Sequence, residues 1–90
     1  MAALTFTQSG NGYVATAEVN ADFAIHVECA SKSTFSVEAT ILNGGEPEII
    51  YSKIANHFEK AWSSKVYPMY ITVFSSANPI ANKSIIQEAE

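Results

Sequence analysis

Three side chains of the kinds that bind metal ions lie close together in the sequence: Asp22, His26 and Glu28. The alternation of polar and apolar residues around them predicts a β-strand from which all three project on the same face. Neighbouring same-face residues on a strand are about 7 Å apart, so one ion could be bound only with a ligand from another strand. Because no second histidine or cysteine stands at a spacing that supplies it, we expect solvent-facing polar side chains and no metal site.

Nucleophilic catalysis would need a serine or cysteine with a histidine and an acid gathered around it. The sequence has one cysteine, Cys29, and one further histidine, His57, but no nucleophile elbow or similar motif. Cys29 alternates in phase with apolar residues, which predicts a buried and inert thiol. The glycines stand in predicted turns rather than in a loop that could cradle a phosphate. These residues therefore predict no catalytic residue, no cofactor and no enzymatic activity.

Aromatic side chains in the second half of the chain could stack on sugar rings. The candidates for such a carbohydrate-binding surface are Tyr51, Trp62 and Tyr67, with Tyr70 nearby. The same residue types serve equally well in a core or at the rim of a protein interface. Carbohydrate binding or adhesion is therefore the alternative function for this chain.

A further group of apolar residues falls on strand faces that the alternation predicts to point away from the core. These candidate interface residues are Val14, Leu42, Ile50, Tyr70 and Phe74, joined by Ile85 and Ile86 of the C-terminal segment. If they cluster on the surface, a protein partner explains them better than solvent does. The other possibility is a two-layer structure in which a second sheet or the C-terminal segment covers them.

The overall composition describes one small globular domain and excludes several classes of function. The chain has 90 residues, of which 48% are hydrophobic and 16% charged, and its net charge is −4. It contains five lysines and no arginine, so nucleic-acid binding is not expected. No apolar run approaches the roughly 20 residues of a membrane-spanning helix. A single cysteine and an N-terminus unlike a signal peptide predict folding in a reducing compartment.

Period-two alternation predicts an all-β fold, an antiparallel β-sandwich of about six or seven short strands. The predicted strands cover residues 4–7, 13–19, 22–30, 34–41, 48–55 and 66–75, and short turns join the first four into a meander. The strongest turn signal is Asn11-Gly12, and Ser31-Lys32-Ser33 predicts a turn between the third and fourth strands. Residues 56–63 are expected to form a loop or a single turn that holds Phe58 and Trp62 against the sheet edge.

The chain is expected to form one domain with a distinct C-terminal segment. Residues 1–76 are predicted to be the β-sandwich domain, and residues 77–90 a C-terminal edge strand or docking tail of the same domain. Because this segment contains Ile80, Ile85 and Ile86, it is too apolar for a spacer. We expect it to dock, either in this molecule or in a neighbouring one.

Several short segments carry a resemblance to a known group of proteins. They are Gly12-Tyr13-Val14-Ala15, Glu18-Val19, Asp22-Phe23, Ile25-His26-Val27-Glu28, Val66-Tyr67-Pro68 and Ile71-Thr72-Val73. In these segments the chain resembles small β-sandwich proteins of the virion or capsid of tailed phages, the crAss-like phages that infect Bacteroides. The likeness covers roughly residues 4–75, and the chain departs from it in residues 48–64 and in its apolar C-terminus.

The resemblance implies a structural protein of the virion without catalytic residues. Such a protein would decorate a capsid, form part of a head fibre or join a larger assembly, as a homo-oligomer or in contact with capsid proteins. It would be made in the cytoplasm of the host cell and end in the virion, with no nucleic-acid or membrane partner. We therefore expect a non-enzymatic module that acts through protein–protein contacts, by edge pairing or by burial of an apolar patch.

Overall fold

The computed structural model describes residues 2–41, 45–63 and 68–89. Within these ranges the protein is all-β, as predicted, and every strand pairing is antiparallel. The strands are β1 (Ala2–Ala3), β2 (Thr7–Ser9), β3 (Gly12–Val19), β4 (Phe23–Thr40), β5 (Glu48–Trp62), β6 (Met69–Ser75) and β7 (Ile85–Glu88), and a 3-10 helix spans Ala81–Lys83. None of the described residues forms a helix long and apolar enough to cross a membrane.

The strands form one curled sheet, a half-barrel, around the 18-residue strand β4. On one side of β4 the first part of the strand pairs with β7 and the last part with β6. On the other side β5 pairs with both parts, so β4 and β5 form one long ribbon. This ribbon is shared by two halves of the sheet: the β7 half, with β1 and β7, and the β6 half, with β6, β3 and β2. The prediction of two separate packed sheets is not confirmed, since the described strands belong to a single sheet.

A bend in the ribbon marks the place where β4 changes partners. The register shifts there, so that residues 28 to 33 of β4 oppose only residues 57 to 55 of β5. Extra residues on one strand form a β-bulge, which bends the strand and increases its twist. The turn predicted at Ser31-Lys32-Ser33 is therefore wrong. Its polar residues belong to a bulge in a continuous strand, because β5 stays paired with β4 on both sides of it.

Buried hydroxyl groups hold this bend together. Ser33 and Ser75 are 2% and 0% exposed, and their Oγ atoms lie 2.7 Å apart. The Ser75 hydroxyl donates to the Ala77 carbonyl at 2.6 Å, and the Ala77 N–H donates to the Ser33 Oγ at 3.1 Å. Because Ser75 has used its only hydrogen, Ser33 is the donor between the two hydroxyls. The Cys29 thiol, buried in agreement with the sequence pattern, lies 3.5 Å from the Ser75 Oγ. We call Cys29, Ser33, Ser75 and Ala77 the corner cluster.

The predicted meander is wrong beyond its first hairpin. β2 and β3 form that hairpin, but β6 lies between β3 and β4. Val19, at the end of β3, pairs with Met69 of β6, whereas Phe23, at the start of β4, pairs with Glu88 of β7. Residues 20–22 therefore carry the chain from the β6 half to the β7 half. A short link is compatible with either path, and local turn signals do not encode the long-range pairing of β3 with β6.

The β2–β3 hairpin turns one residue earlier than Asn11-Gly12 predicts. Ser9 pairs with Gly12, so the loop consists of Gly10 and Asn11, and Gly10 has a φ of 59°. Glycine with positive φ at the first loop position is typical of a type II′ turn. Gly12 is instead the first residue of β3, where a Cβ atom would stand 2.5 Å from the Phe74 ring. This glycine is needed for close packing rather than for the turn.

Two segments of uncertain character in the sequence both form strands. The loop predicted at residues 56–63 is wrong, since β5 continues to Trp62 and Phe58 is fully buried opposite Val27. The C-terminal segment docks in this molecule, but β7 is not an edge strand, because it lies between β1 and β4. The Leu4 N–H donates to the Ser84 carbonyl at 2.8 Å and ties the N-terminal segment to this strand.

The concave face of the sheet encloses one core, and an aromatic seam crosses it. Phe35 from the β6 half and Phe58 from the β7 half are fully buried, with ring centroids 5.0 Å apart. Tyr51 contacts Phe58 at 5.3 Å and Trp62 at 5.9 Å. Trp62 in turn stacks on Phe23 at 5.2 Å. Because these ring contacts cross the bend, the seam joins the two halves into one core.

Candidate interaction surface

The free side of β5 is the longest unpaired edge among the described strands. β5 has 15 residues and pairs only with β4, whereas the edge strands β1 and β2 have two and three residues. Backbone N–H and C=O groups on the side of a strand away from its neighbour face solvent and are able to pair with a further strand. Sheet edges of this kind are where many proteins accept a strand from a partner.

Two isoleucines project from this edge into solvent. Ile54 is 67% exposed and Ile49 is 61% exposed, and both oppose outer-face residues of β4. A third, Ile41, is 53% exposed just beyond the end of β4. One exposed isoleucine is ordinary on a protein surface, but two on a strand with a free edge make that edge a candidate contact surface.

Charged residues also stand along this edge. Lys53 and Lys60 oppose core residues of β4, so they stand at inward positions, yet both side chains remain exposed. The Lys60 Nζ lies 6.0 Å from the centroid of the Tyr51 ring. A second register shift places a bulge beside Ile50. Inward lysines and bulges on edge strands prevent unselective pairing, so this edge suits a matched partner rather than open-ended aggregation.

A shallow polar groove lies on the outer face of the β6 half. Its volume is about 560 Å³, and its lining includes Thr16, Glu18, Thr40, Pro47, Tyr70 and Thr72. The Tyr70 hydroxyl donates a hydrogen bond to Glu18, its cross-strand neighbour. Desolvation and then the Glu18 carboxylate raise the pKa of Tyr70 above its ordinary value of 10.0. An aromatic ring beside hydroxyls and a carboxylate offers the stacking and hydrogen bonding that sugars use.

A charge network covers the outer face of the β7 half. The Nε2 of His26 lies 2.9 Å from Glu28 and its Nδ1 lies 3.2 Å from Glu59 across the ribbon. A neutral imidazole donates to one of these carboxylates and a protonated one to both. The hydrogen bond from His26 holds the pKa of Glu28 below its ordinary value of 4.5, desolvation opposes this effect, and Lys83 at 3.7 Å adds to it. His57 opposes Glu28 in the register.

The two cross-strand members of this network, Glu59 and His57, are not predictable from the local sequence pattern. Nothing local connects residues 26–28 with residues 57–59, because the prediction placed a loop at 56–63. Asp22 lies before β4, where its carbonyl accepts the Ala89 N–H at 2.7 Å. Within the described ranges, no group of three or more His, Cys, Asp or Glu residues is arranged to hold a metal ion.

Comparisons of the chain with protein-family models, with curated proteins and with solved structures found no match. The free edge of β5 differs from the groove and the charge network, because no described strand pairs with its outer backbone groups and its isoleucines are exposed.

The residues predicted to form one interface lie in separate places. Val14 and Phe74 are half-buried cross-strand neighbours on the outer face of the β6 half. Tyr70 lies on the same face, in the polar groove. Ile50 packs against the core at the bulge of β5.

The other predicted interface residues, Ile85, Ile86 and Leu42, do not join Val14, Phe74 and Tyr70 on the outer face of the β6 half. Ile86 is a core residue, 6% exposed, so its side chain is not available to a partner. Ile85 is half-buried on the outer face of the β7 half, and Leu42 lies outside the described residues. Ile49 and Ile54 are not among the predicted interface residues, although both lie in a predicted strand. Lysines in phase with core positions are the signal that marks β5 as an edge strand.

The residues predicted to stack on sugars do not form an open platform. Tyr51 and Trp62 belong to the aromatic seam, and they contact each other edge to face. Both are half-buried and packed against the core. Tyr67 lies outside the described residues. A carbohydrate surface would therefore have to use the groove beside Tyr70.

Proposed function

We propose that this protein is a non-enzymatic structural module that acts through protein–protein contacts, with the free edge of β5 as its main contact surface. The observation that carries this proposal is a strand of 15 residues that pairs on one side only among the described strands and bears the exposed Ile49 and Ile54. A strand added to this edge would complete the backbone hydrogen bonds and cover both isoleucines. Main-chain pairing would supply affinity, and side-chain pairs would select the register.

The setting that we propose is a phage virion, in which the protein decorates the capsid, forms part of a head fibre or takes part in assembly. This part of the proposal is supported by the resemblance of residues 4–75 to proteins of crAss-like phages. A protein present in many copies on one particle needs contacts that are specific and do not lead to aggregation. The inward lysines of β5 favour contacts of that kind.

Co-sedimentation of the tagged protein with purified particles of a crAss-like phage tests this proposal. We expect the natural protein to sediment with the particles and Ile54→Lys to stay in the supernatant, because a charge there opposes strand addition. Ile41→Lys is the matched control, since Ile41 is also exposed, at 53%, but lies outside β5. If the natural protein stays in the supernatant, the virion setting is wrong. If Ile54→Lys sediments as well as the natural protein does, the edge is not the contact surface.

Carbohydrate binding is a second candidate, supported by the polar groove beside Tyr70. We expect a sugar that binds there to shift the amide resonances of Tyr70 and Thr72 in a titration of the labelled protein. Glu18→Gln would weaken binding, because it removes an acceptor for sugar hydroxyls. A blank glycan array together with an unchanged spectrum would remove this candidate.

A further inference from the structure

We infer that the partner at the β5 edge is an extended segment of another protein, with carboxylates on its inward face and apolar residues on its outward face. This inference rests on the proposed function, because it names the chemistry of the partner at the same edge. It starts from two lysines of β5, Lys53 and Lys60. Among the described residues, no carboxylate lies within ion-pair distance of either ammonium group.

The bend of the ribbon divides β5 into a first arm, residues 48–55, and a second arm, residues 57–62, which pair with different parts of β4. Tyr51 of the first arm contacts Trp62 of the second, and the Nζ of Lys60 lies 6.0 Å from the centroid of the Tyr51 ring. A straight strand would separate residues 51 and 60 by about 30 Å. The bend therefore folds the inward face of the second arm against that of the first.

Lysines of both arms meet at one stretch of the free edge. Tyr51 and Lys53 oppose Val37 and Phe35, which are fully buried, so both stand at inward positions of the first arm, about 7 Å apart. Lys60 reaches Tyr51 from the second arm. A side chain that projects inward from an added strand, beside Tyr51 and Lys53, would therefore meet both lysines.

Desolvation of these lysines decides which strand the edge accepts. A strand with apolar inward residues would remove water from the ammonium groups without pairing them, which is unfavourable. A second copy, paired through the middle of the same edge, would bring its own inward lysines to the same inner face. A carboxylate at this place instead accepts a charge-assisted hydrogen bond from Lys53 and is attracted by Lys60. The two lysines therefore exclude apolar strands and select acidic ones.

The other residues of the first arm limit where the carboxylates can stand. Glu48 occupies the inward position at the start of this arm, so an acidic residue beside it would be repelled. Ile49 and Ile54 stand at outward positions and are exposed, so apolar residues beside them would bury apolar surface. The segment that fits has carboxylates beside Tyr51 and Lys53, a neutral residue beside Glu48 and apolar residues on its outward face.

Titration of the isotope-labelled protein with capped peptides, up to millimolar concentration, tests the inference. The acidic peptide is Val-Glu-Val-Glu-Val-Thr, which in antiparallel pairing sets its glutamates beside Lys53 and Tyr51 and its threonine beside Glu48. The basic peptide has lysines in place of the glutamates, and the block peptide, Val-Val-Val-Glu-Glu-Thr, keeps the acidic composition without the alternation. We expect only the acidic peptide to shift the amide resonances of residues 49–55, and added salt to weaken its binding. No shift with the acidic peptide, or equal shifts with either other peptide, overturns the inference.

Charge reversal tests the role of the lysines. Lys53→Glu should raise the Kd of the acidic peptide on the order of tenfold and allow the basic peptide to bind. Lys32→Glu is the matched control, because Lys32 is an exposed lysine in the bulge of β4 and changes the net charge equally. A Kd that Lys53→Glu leaves unchanged, or that Lys32→Glu raises as much, overturns the inference.

Two further measurements separate this inference from the proposed function. Light scattering of the protein alone should give the mass of one chain, 9.7 kDa. A mass of two chains that Ile54→Lys reduces to one would give the edge to a second copy and overturn the inference. Sedimentation with phage particles that depends on Ile54, without peptide binding, would support the proposed function and overturn the acidic partner. Peptide binding without sedimentation would support the acidic partner and show that the virion setting is wrong.

Discussion

The two halves of the sheet share one core but have different outer faces. The β7 half carries charges, with His26 between Glu28 and Glu59. The β6 half carries hydroxyl groups and the half-buried pair of Val14 and Phe74. The difference shows that the aromatic seam and the corner cluster hold the two halves in one core. The residues on each outer face do not contribute to that core, so their chemical character can differ between the halves. A change at the seam should therefore affect both halves, and a change on an outer face only one.

The largest effect is expected at the aromatic seam. Phe58→Ala removes a fully buried ring that contacts Phe35 and Tyr51, so we expect a loss of about 3–5 kcal/mol in the free energy of unfolding. Urea denaturation followed by tryptophan fluorescence and by circular dichroism measures it. Both signals should move together, because the two halves share the core. Ile49→Ala is the control, and its exposed side chain should change stability by less than about 0.5 kcal/mol.

The corner cluster gives the next effect, at the joint between the halves. Ser75→Ala removes the 2.7 Å hydrogen bond to the buried Ser33 hydroxyl and the hydroxyl donor to the Ala77 carbonyl, at a cost of about 1–3 kcal/mol. Thermal denaturation of this variant beside Ser52→Ala, an exposed serine on β5, measures the difference. Equal stability of the two variants would mean that the bend does not depend on the buried hydroxyls.

The next largest effect is expected for a substitution at Gly12, and it should be confined to the β6 half. Gly12→Ala places a Cβ against the Phe74 ring, and we expect a loss of about 1–2 kcal/mol from overpacking. Hydrogen exchange should rise in β2 and β3 and stay unchanged in β7. Phe74→Leu added to Gly12→Ala should recover part of the stability, because a smaller side chain gives the Cβ room. A loss that is not recovered would point to the backbone instead.

The smallest effect is expected in the β7 half and depends on pH. The pKa of Glu28 is lowered in the folded protein, so its contribution to stability is present above the ordinary value of 4.5 and is lost as pH falls through the lower folded value. Urea midpoints measured from pH 6 to pH 3 should fall less for Glu28→Gln than for the natural protein. Glu38→Gln removes one charge from the outer face of the β6 half and serves as the control. Identical profiles for Glu28→Gln and the natural protein would contradict the role of the His26 hydrogen bond.

The faces of the strands could be predicted from the sequence, but their partners could not. Phe23, Ile25 and Val27 alternate with polar residues, and all three are buried as that pattern indicates. Alternation reports which side of a strand meets the core, and it is silent about which strand lies beside it. The polar residues 31–33 resemble a turn, since bulges and turns use the same residue types.

The candidate site was harder to predict than the fold. Ile54 becomes a surface feature only because nothing among the described strands pairs with the far side of β5. Whether a strand lies at an edge depends on the whole sheet, so the local sequence pattern gives little information about it. Lys53 and Lys60 do give some, because a lysine at a core position on an inner strand would bury its charge.

The position of β7 between β1 and β4 sets an order of events during protein synthesis. Ala2 pairs with Ile86, so β1 leaves the ribosome long before the strand that it must join. The β4–β5 ribbon needs only nearby residues and can form while later segments are still being made. We therefore expect the ribbon to appear first in the nascent chain and β1 to remain unpaired until β7 has emerged. The same delay would keep the N-terminal segment accessible to proteases and chaperones throughout translation.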